Sequence, residues 1–188
     1  MPAAAQAALD RVRRAPPAVL DAMTATILTG AIPADAVAEH VYVAAALQVQ
    51  FARMAARLDA KRLVPVGIGL CPVCGGPPVL SMIVGWVGAE GARYACCAFC
   101  ATLWNEVRIK CLVCGSTKGI GFQHIDGTAE VIKAETCGEC ESYVKILHQH
   151  KDVRLDPVAD DVASLGLDAL LRDSVFRRGG FNPYLHGY

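Results

Sequence analysis

Cys71-Pro72-Val73-Cys74-Gly75 returns 40 residues later as Cys111-Leu112-Val113-Cys114-Gly115. Two further pairs, Cys97/Cys100 and Cys137/Cys140, keep the same separation of 40. The step from Cys74 to Cys97 equals the step from Cys114 to Cys137, at 23 positions. Residues 71–140 therefore hold two copies of one unit, C-x2-C-x22-C-x2-C, and duplication of this kind implies two similar small modules. Two residues between cysteines let a tight turn aim both sulfurs at one point. Backbone N–H groups of the turn can donate to the sulfurs, and Gly75 and Gly115 relieve the crowding that follows. Two such turns brought together by a β-hairpin supply four thiolates in a tetrahedron, as in a zinc ribbon or a rubredoxin-like iron site. The expected ligand sets are Cys71, Cys74, Cys97 and Cys100, then Cys111, Cys114, Cys137 and Cys140. Disulfides and thioredoxin-like redox pairs are the competing readings. A redox C-x-x-C opens a helix within a βαβ unit, whereas these four pairs lie between short strand-like runs.

Cys96 is left over. The 40-residue register selects its neighbour Cys97 as the ligand, because Thr136 stands where the second copy would need a match to Cys96. Cys96 is then a small semi-buried side chain, a spare reactive thiol or an alternative ligand. Four sulfurs suit zinc and iron equally. A closed zinc site of this kind leaves no open coordination position and is structural. Of the five histidines (His40, His124, His148, His150 and His186), His148 and His150 would share a strand face. With the cysteine sets complete, surface positions are the expectation for them.

Working outward, the expected fold class is α+β: tandem four-cysteine modules flanked by N-terminal helices and a C-terminal helix. The expected segments are a helical region over 1–65, modules over 66–105 and 106–150, and a helix with a tail over 151–188. One helix is expected over 17–29, with Pro17 at its start, Val19, Leu20, Met23, Ile27 and Leu28 as its apolar stripe, and Gly30 as its stop. A second begins near Pro33 or Asp35. Val37, Val41, Ala44, Leu47, Phe51, Met54 and Leu58 form its buried face, and Lys61 and Arg62 lie at its C-terminal end. These helices are expected to pack on the rest of the chain or on a second copy. Strand-like runs cover 79–87, 92–95, 102–110, 120–125, 129–135 and 142–149. Asp156 and Pro157 open a last helix that carries Val158, Val162, Leu165 and Ala169 and ends near Arg172. The tail from Arg177 to Pro183 reads as irregular, with Arg177-Arg178 a solvated helix end.

The chain has 188 residues, 18 basic against 18 acidic, and 54% hydrophobic residues. This composition argues against intrinsic disorder. Alanine inflates the apolar fraction, with 20 in the first 60 positions. No apolar run is long enough to span a bilayer. Asp10, Arg11, Arg13, Arg14 and Asp21 interrupt any signal-peptide core, so a cytoplasmic location is expected. In that reducing setting, nine cysteines read as metal ligands before structural disulfides. Between 71 and 150 there are 6 basic and 7 acidic residues. Eight thiolates holding two divalent ions would bring the formal charge to about −5. That sign disfavours phosphate backbones and favours a basic peptide.

Cys71-Pro-Val-Cys-Gly75, Arg108-Ile-Lys-Cys-Leu-Val-Cys-Gly-Ser-Thr-Lys-Gly119 and Lys133-Ala-Glu-Thr-Cys-Gly-Glu-Cys-Glu-Ser-Tyr-Val-Lys145 are specific strings. So are Lys151-Asp-Val-Arg-Leu-Asp-Pro-Val-Ala-Asp-Asp-Val-Ala-Ser-Leu165, Arg178 and Asn182-Pro183. Over about 71–185 the chain resembles the FdhE-type formate dehydrogenase accessory proteins. The resemblance implies a cytoplasmic, non-enzymatic protein that assists maturation of the respiratory, molybdenum-containing formate dehydrogenase. Implied partners are its catalytic subunit and its twin-arginine signal. The implied modules are tandem rubredoxin folds that carry iron or zinc on the eight cysteines named above. The family has a longer helical N-terminal region than the roughly 70 residues before Cys71 here, and a narrower role is expected from that.

The acidic side chains Glu135, Glu139, Glu141, Asp156, Asp160 and Asp161 are candidates for engaging arginines of such a signal. The client-binding set taken forward is Glu135, Asp156, Asp160 and Asp161. The three aspartates are equally explained by the first turns of a helix, and Tyr143 and Lys145 by packing and solvation. A homodimer through the alanine-rich helices is open. Rival functions are a thiol-based redox or sulfur-transfer factor using Cys96 and a nucleic-acid-binding zinc ribbon.

Overall fold

A computed structural model describes residues 1–185, and His186 lies outside the described residues. Three helices come first: α1 (Ala3–Arg14), α2 (Pro17–Thr29) and α3 (Val37–Ala55). Helix α2 runs over 17–29 as expected. Gly30 closes it in the left-handed conformation, with φ of 69°, and the Ala31 N–H returns to the Thr26 carbonyl. Only part of the expected stripe is covered: Ile27 is buried, while Val19 and Leu28 face solvent.

Helix α1 lies within the helical region expected over 1–65, although the alanine-rich start marks no separate helix there. Ala8 is fully buried, and the Arg11 guanidinium reaches Glu39 on α3 at 2.5 Å. Small side chains allow that close approach without leaving a conspicuous stripe in the sequence. Helix α3 ends at Ala55, earlier than expected. Lys61 and Arg62 belong to a separate 3-10 turn, so no helix end needs their charge, and Met54 and Leu58 are exposed rather than packed.

Six strands follow: β1 (Pro78–Ile83), β2 (Arg93–Cys97), β3 (Leu103–Glu106), β4 (Ile120–Gln123), β5 (Ile132–Cys137) and β6 (Ser142–Leu147). Each lies within or across one of the six strand-like runs. They form two antiparallel three-stranded meanders, one per cysteine repeat. The meanders do not stand apart, because β1 pairs in parallel with β6 through Ser81↔Ile146 and Met82↔Leu147. One continuous sheet results, in the order β3-β2-β1-β6-β5-β4. Its central strand β1 is buried at every residue, as a run that is apolar except at Ser81 suits. Val79, Leu80, Met82, Ala95, Leu112, Val144 and Leu147 form the core there.

A buried ion pair locks the two repeats together. Arg93 on β2 donates through Nη2 to Glu135 Oε1 on β5 at 2.8 Å, with both side chains almost fully buried. Ser81 Oγ and the Lys110 carbonyl accept further guanidinium N–H groups. The sequence reading placed Glu135 on a client-binding surface. The structure places it inside, already paired.

The C-terminal segment differs from the single helix expected. It forms α4 (Ala159–Ala163) and α5 (Leu165–Leu171), broken at Ser164. Asp156 does cap the start, its Oδ1 accepting from the Val158 and Ala159 N–H groups. Lys145 on β6 lies at the break. Its buried ammonium donates to the carbonyls of Asp161 and Ser164, at 2.8 and 3.2 Å, while the Ser164 carbonyl also accepts the Leu167 N–H.

The tail beyond α5 is not irregular. Arg177–Arg178 form a short strand, β7, parallel to the start of β6. Gly179 and Gly180 then cross the sheet so closely that a Cβ at Gly180 would sit 2.4 Å from the Val79 carbonyl oxygen. Arg178 is not a solvated helix end. It pairs with Asp161 at 2.6 Å and with Asp168, and Lys145 contacts the same two carboxylates. Tyr143 donates to Asp168, and Asn182 to Asp161. Two cations and two carboxylates thus balance inside the protein. Asp161, fully buried here, is removed from the client-binding candidates on the same ground as Glu135.

Removing one partner of a buried pair leaves an uncompensated charge, which costs about 3–5 kcal/mol. Arg93→Met is expected to destabilise the metal-loaded protein by about that amount in urea unfolding. Adding Glu135→Leu should restore most of the loss, because an apolar pair replaces the ion pair.

Candidate metal centres

Four turns present the eight cysteines. In the first pair of each repeat the turn closes identically. Gly75 N–H reaches the Cys71 carbonyl at 2.9 Å, and Gly115 N–H reaches that of Cys111 at 3.0 Å. The residue after every second cysteine is left-handed: Gly75 (φ 73°), Ala101 (54°), Gly115 (77°) and Glu141 (53°). The sequence marked only the two glycines. Ala101 and Glu141 adopt the conformation at a cost of roughly 1–2 kcal/mol each. The entry to each first pair repeats as well, with Gly69 and Ile109 both left-handed, two positions before the cysteine. Gly69 is sterically required, since a Cβ there would lie 1.8 Å from the Leu112 carbonyl oxygen.

These turns gather Cys71, Cys74, Cys97 and Cys100 in one group and Cys111, Cys114, Cys137 and Cys140 in another. Within each group the sulfurs all lie within 4.8 Å of one another. Cys71–Cys100 and Cys74–Cys97 are separated by 3.5 and 3.4 Å, and Cys111–Cys140 and Cys114–Cys137 by 3.7 and 3.8 Å. A tetrahedral ion with metal–sulfur bonds near 2.3 Å sets its sulfurs about 3.8 Å apart. A disulfide would need about 2.05 Å, and all nine cysteines are free.

Backbone N–H groups point at the sulfurs as a thiolate requires. Val73 donates to Cys71, and Phe99 and Cys100 donate to Cys97, each at 3.4 Å. Val113 and Cys114 do the same for Cys111. Without a cation the sulfurs must share protons. Contacts with Cys100, then Cys71 and Cys74, hold the Cys97 thiol far above its ordinary value, while contacts with Cys71, Cys74 and Cys97 hold Cys100 far below. Such a donor set fits a thiophilic cation.

The two groups differ in cover. The first lies in a cluster with Ile27, Val43, Ala44 and Phe99, against which Leu20, Met23, Leu47 and Phe51 of α2 and α3 pack. Gln48 on α3 donates to the Ala98 carbonyl at 2.6 Å and accepts from Tyr184, so the helical region closes directly over this group. Helix α3 is held to α2 by buried His40, which contacts Thr26 Oγ1 at 2.9 Å. Among the described residues, no buried apolar cluster takes in the cysteines of the second group, and Cys140 is half-exposed where Cys100 is buried.

Cys96 belongs to neither group. It lies in the apolar core with Leu80 and Ala95, 2% exposed, and burial pushes its thiol up to about 12. An activated cysteine needs the opposite environment. His148 and His150 approach each other, with ring centroids 5.4 Å apart, but contribute to no metal-binding group among the described residues. Nor is His148 a plain surface residue, because its Nε2 is buried without a hydrogen-bond partner. Asp156 is exposed and Asp160 half-buried, the latter accepting the Asp156 N–H. Arg93, Lys145, Asp168, Arg178 and Asn182 were missed as a structural set. Their only signal was polarity inside apolar strands and inside the resembling strings.

Family models match nearly the whole chain. The N-terminal model of FdhE covers residues 1–68, its central-domain model 70–108 and its C-terminal-domain model 109–185. A protein of Rhizobium meliloti (strain 1021) named "Protein FdhE homolog" is 56% identical over 189 residues, which is all of this chain and 62% of that one. A homolog from Proteus mirabilis (strain HI4320) is 38% identical over 98% of this chain and 61% of its own. The crystal structure of the FdhE protein from Pseudomonas aeruginosa superposes with a TM-score of 0.86 at 35% identity, covering 100% of this chain and 65% of that chain. The chain thus spans roughly three-fifths of the length of these curated relatives.

Unequal cover predicts unequal metal loss. With a competing chelator, the metal-loaded protein should release the ion of the second group first, in two resolved phases, and Cys111→Ala should abolish only the faster phase. Burial pushes His148 down to about 4, below its unfolded value of about 6.5. Stability should therefore fall as pH drops from about 6.5 towards 4. The loss is smaller than the full shift implies, because the side chain is half-exposed. Thermal melts of His148→Gln against the parent across that range should show a shallower decline.

Proposed function

The chain belongs to the FdhE family, and from that premise we propose that it is a non-catalytic accessory protein of formate dehydrogenase maturation. The observation that carries this reading is the match of all three FdhE models along a chain that also assembles both four-cysteine groups. Each group holds one ion, iron or zinc. The ions staple the sheet, because thiolate ligation in small modules is coupled to folding. The partner is the catalytic subunit of the respiratory enzyme, engaged in the cytoplasm before export. The free cysteines suit that reducing compartment. No helix among the described residues is long and apolar enough to cross a membrane.

Engagement of the twin-arginine signal is the finer part of the proposal. With Glu135 and Asp161 consumed internally, Asp156 and Asp160 remain as its acidic contacts. Arginine pairs with such carboxylates in bidentate fashion. A thiol-transfer role through Cys96 is disfavoured by its burial, and nucleic-acid binding by the acidic charge of the metal-loaded modules.

The test is a titration of the metal-loaded protein against the formate dehydrogenase catalytic subunit, made with and without its signal segment. Saturable binding is expected, weakened by Asp156→Asn/Asp160→Asn only when the signal is present. A folded, fully metallated protein that binds neither form contradicts the proposal.

A further inference from the structure

Residues 63–70, Leu-Val-Pro-Val-Gly-Ile-Gly-Leu, are apolar throughout yet belong to no regular element. Val64, Val66 and Ile68 are 67%, 54% and 56% exposed. This segment faces strand β3 across an open groove of about 780 Å³. The wall is held in place, because buried Gly69 passes tightly over the Leu112 carbonyl and Ile68 rests on Gly115.

The opposite wall is a sheet edge. Strand β3 ends the strand order and, among the described residues, pairs only with β2. The Cys97 N–H bonds to the Thr102 carbonyl, and Ala95 lies opposite Trp104. Antiparallel pairing alternates, so Thr102, Trp104 and Glu106 direct their backbone groups to β2, and Leu103 and Asn105 direct theirs into the groove. Residues 63–70 make no backbone hydrogen bond to β3 among the described residues. The groove therefore presents unpaired N–H and C=O groups on one side and apolar side chains on the other.

Its charge selects the occupant. Lys61 and Arg62, between lining residues Ala60 and Leu63, are exposed and form no ion pair among the described residues. The lining carboxylate Glu106 is engaged by Lys110 and by Trp104 Nε1. At the far end of the strand order, β4 contains no carboxylate and runs from Lys118 on one side to Asp126 on the other, so its flanks carry both signs and do not supply a strand with acidic residues on both sides.

We propose that this groove docks an extended apolar segment of a partner protein, flanked by acidic residues, which adds as a strand to the outer edge of β3. Strand addition of this kind takes affinity from main-chain hydrogen bonds and selectivity from alternate side chains. Neither Asp156 nor Asp160 lines the groove, and it takes a segment of opposite charge to a twin-arginine signal. It does not depend on which protein supplies the segment.

The test uses the full metal-loaded chain and a fluorescent peptide of alternating valine and threonine flanked by aspartates. Control peptides carry lysines in place of aspartates, or N-methyl groups on alternate residues. The aspartate peptide should bind saturably and slow amide exchange at Leu103 and Asn105, and N-methylation should weaken it by at least about tenfold. Asn105→Pro removes an outward N–H that β2 does not use and should weaken binding similarly, whereas Asn105→Ala, which removes only the side-chain bond from Nδ2 to the Arg93 carbonyl, should leave binding unchanged. Lys61→Glu/Arg62→Glu, at two exposed positions that leave the fold untouched, should reverse the preference between the charged peptides. The proposal is overturned by absence of binding, by binding indifferent to both charge and N-methylation, or by self-association that protects the same amides without peptide.

Discussion

Eight thiolates must be brought to two points, and the rest of the structure serves that constraint. A module of about 40 residues lies at the size below which metals or disulfides are usually needed for folding. Here each repeat owns one meander and two pairs of cysteines, and the sulfurs approach to within 3.4–3.8 Å across it. Four thiolates that close together repel unless protons or a cation intervene. The fold meets the repulsion with backbone N–H donors from the turns and with left-handed residues that make those turns possible, including Ala101 and Glu141, where no glycine eases the conformation.

Duplication alone would leave two weak modules. Pairing of β1 with β6 converts them into one sheet, and the Arg93–Glu135 pair crosses the seam. The second repeat gains support from the Lys145, Asp161, Asp168 and Arg178 cluster, which fastens α4, α5 and β7 to β6. The first gains it from α2 and α3. The repeats are thus similar in ligand geometry and different in surroundings. One group packs against helices and exposes Cys74, while the other exposes Cys114 and half-exposes Cys140, which gives the two ions different accessibility.

Much of this was legible in the sequence because the decisive signals are local. A C-x-x-C turn, its following glycine and a 40-residue register are short-range facts, and they suffice to separate Cys97 from Cys96 and to group the sulfurs. Strand positions followed from apolar runs between turns. What escaped was set by distant partners. Helix α1 packs through alanines, which leave no stripe. The break at Ser164 lies where Lys145, on another element, donates to the Asp161 and Ser164 carbonyls. Glu135 and Asp161 look like surface acids in sequence, and only tertiary pairing with Arg93 and Arg178 shows them to be internal. The Arg177–Arg178 strand is equally invisible without β6 beside it.

X-ray absorption on the fully loaded protein addresses the central claim most directly, since it counts ligands rather than inferring them from spacing. Two ions per chain, each with four sulfur neighbours at about 2.3 Å and no nitrogen or oxygen shell, is the expected result. A single ion per chain, or a shell containing imidazole nitrogen or water oxygen, would contradict the account of two closed four-cysteine centres.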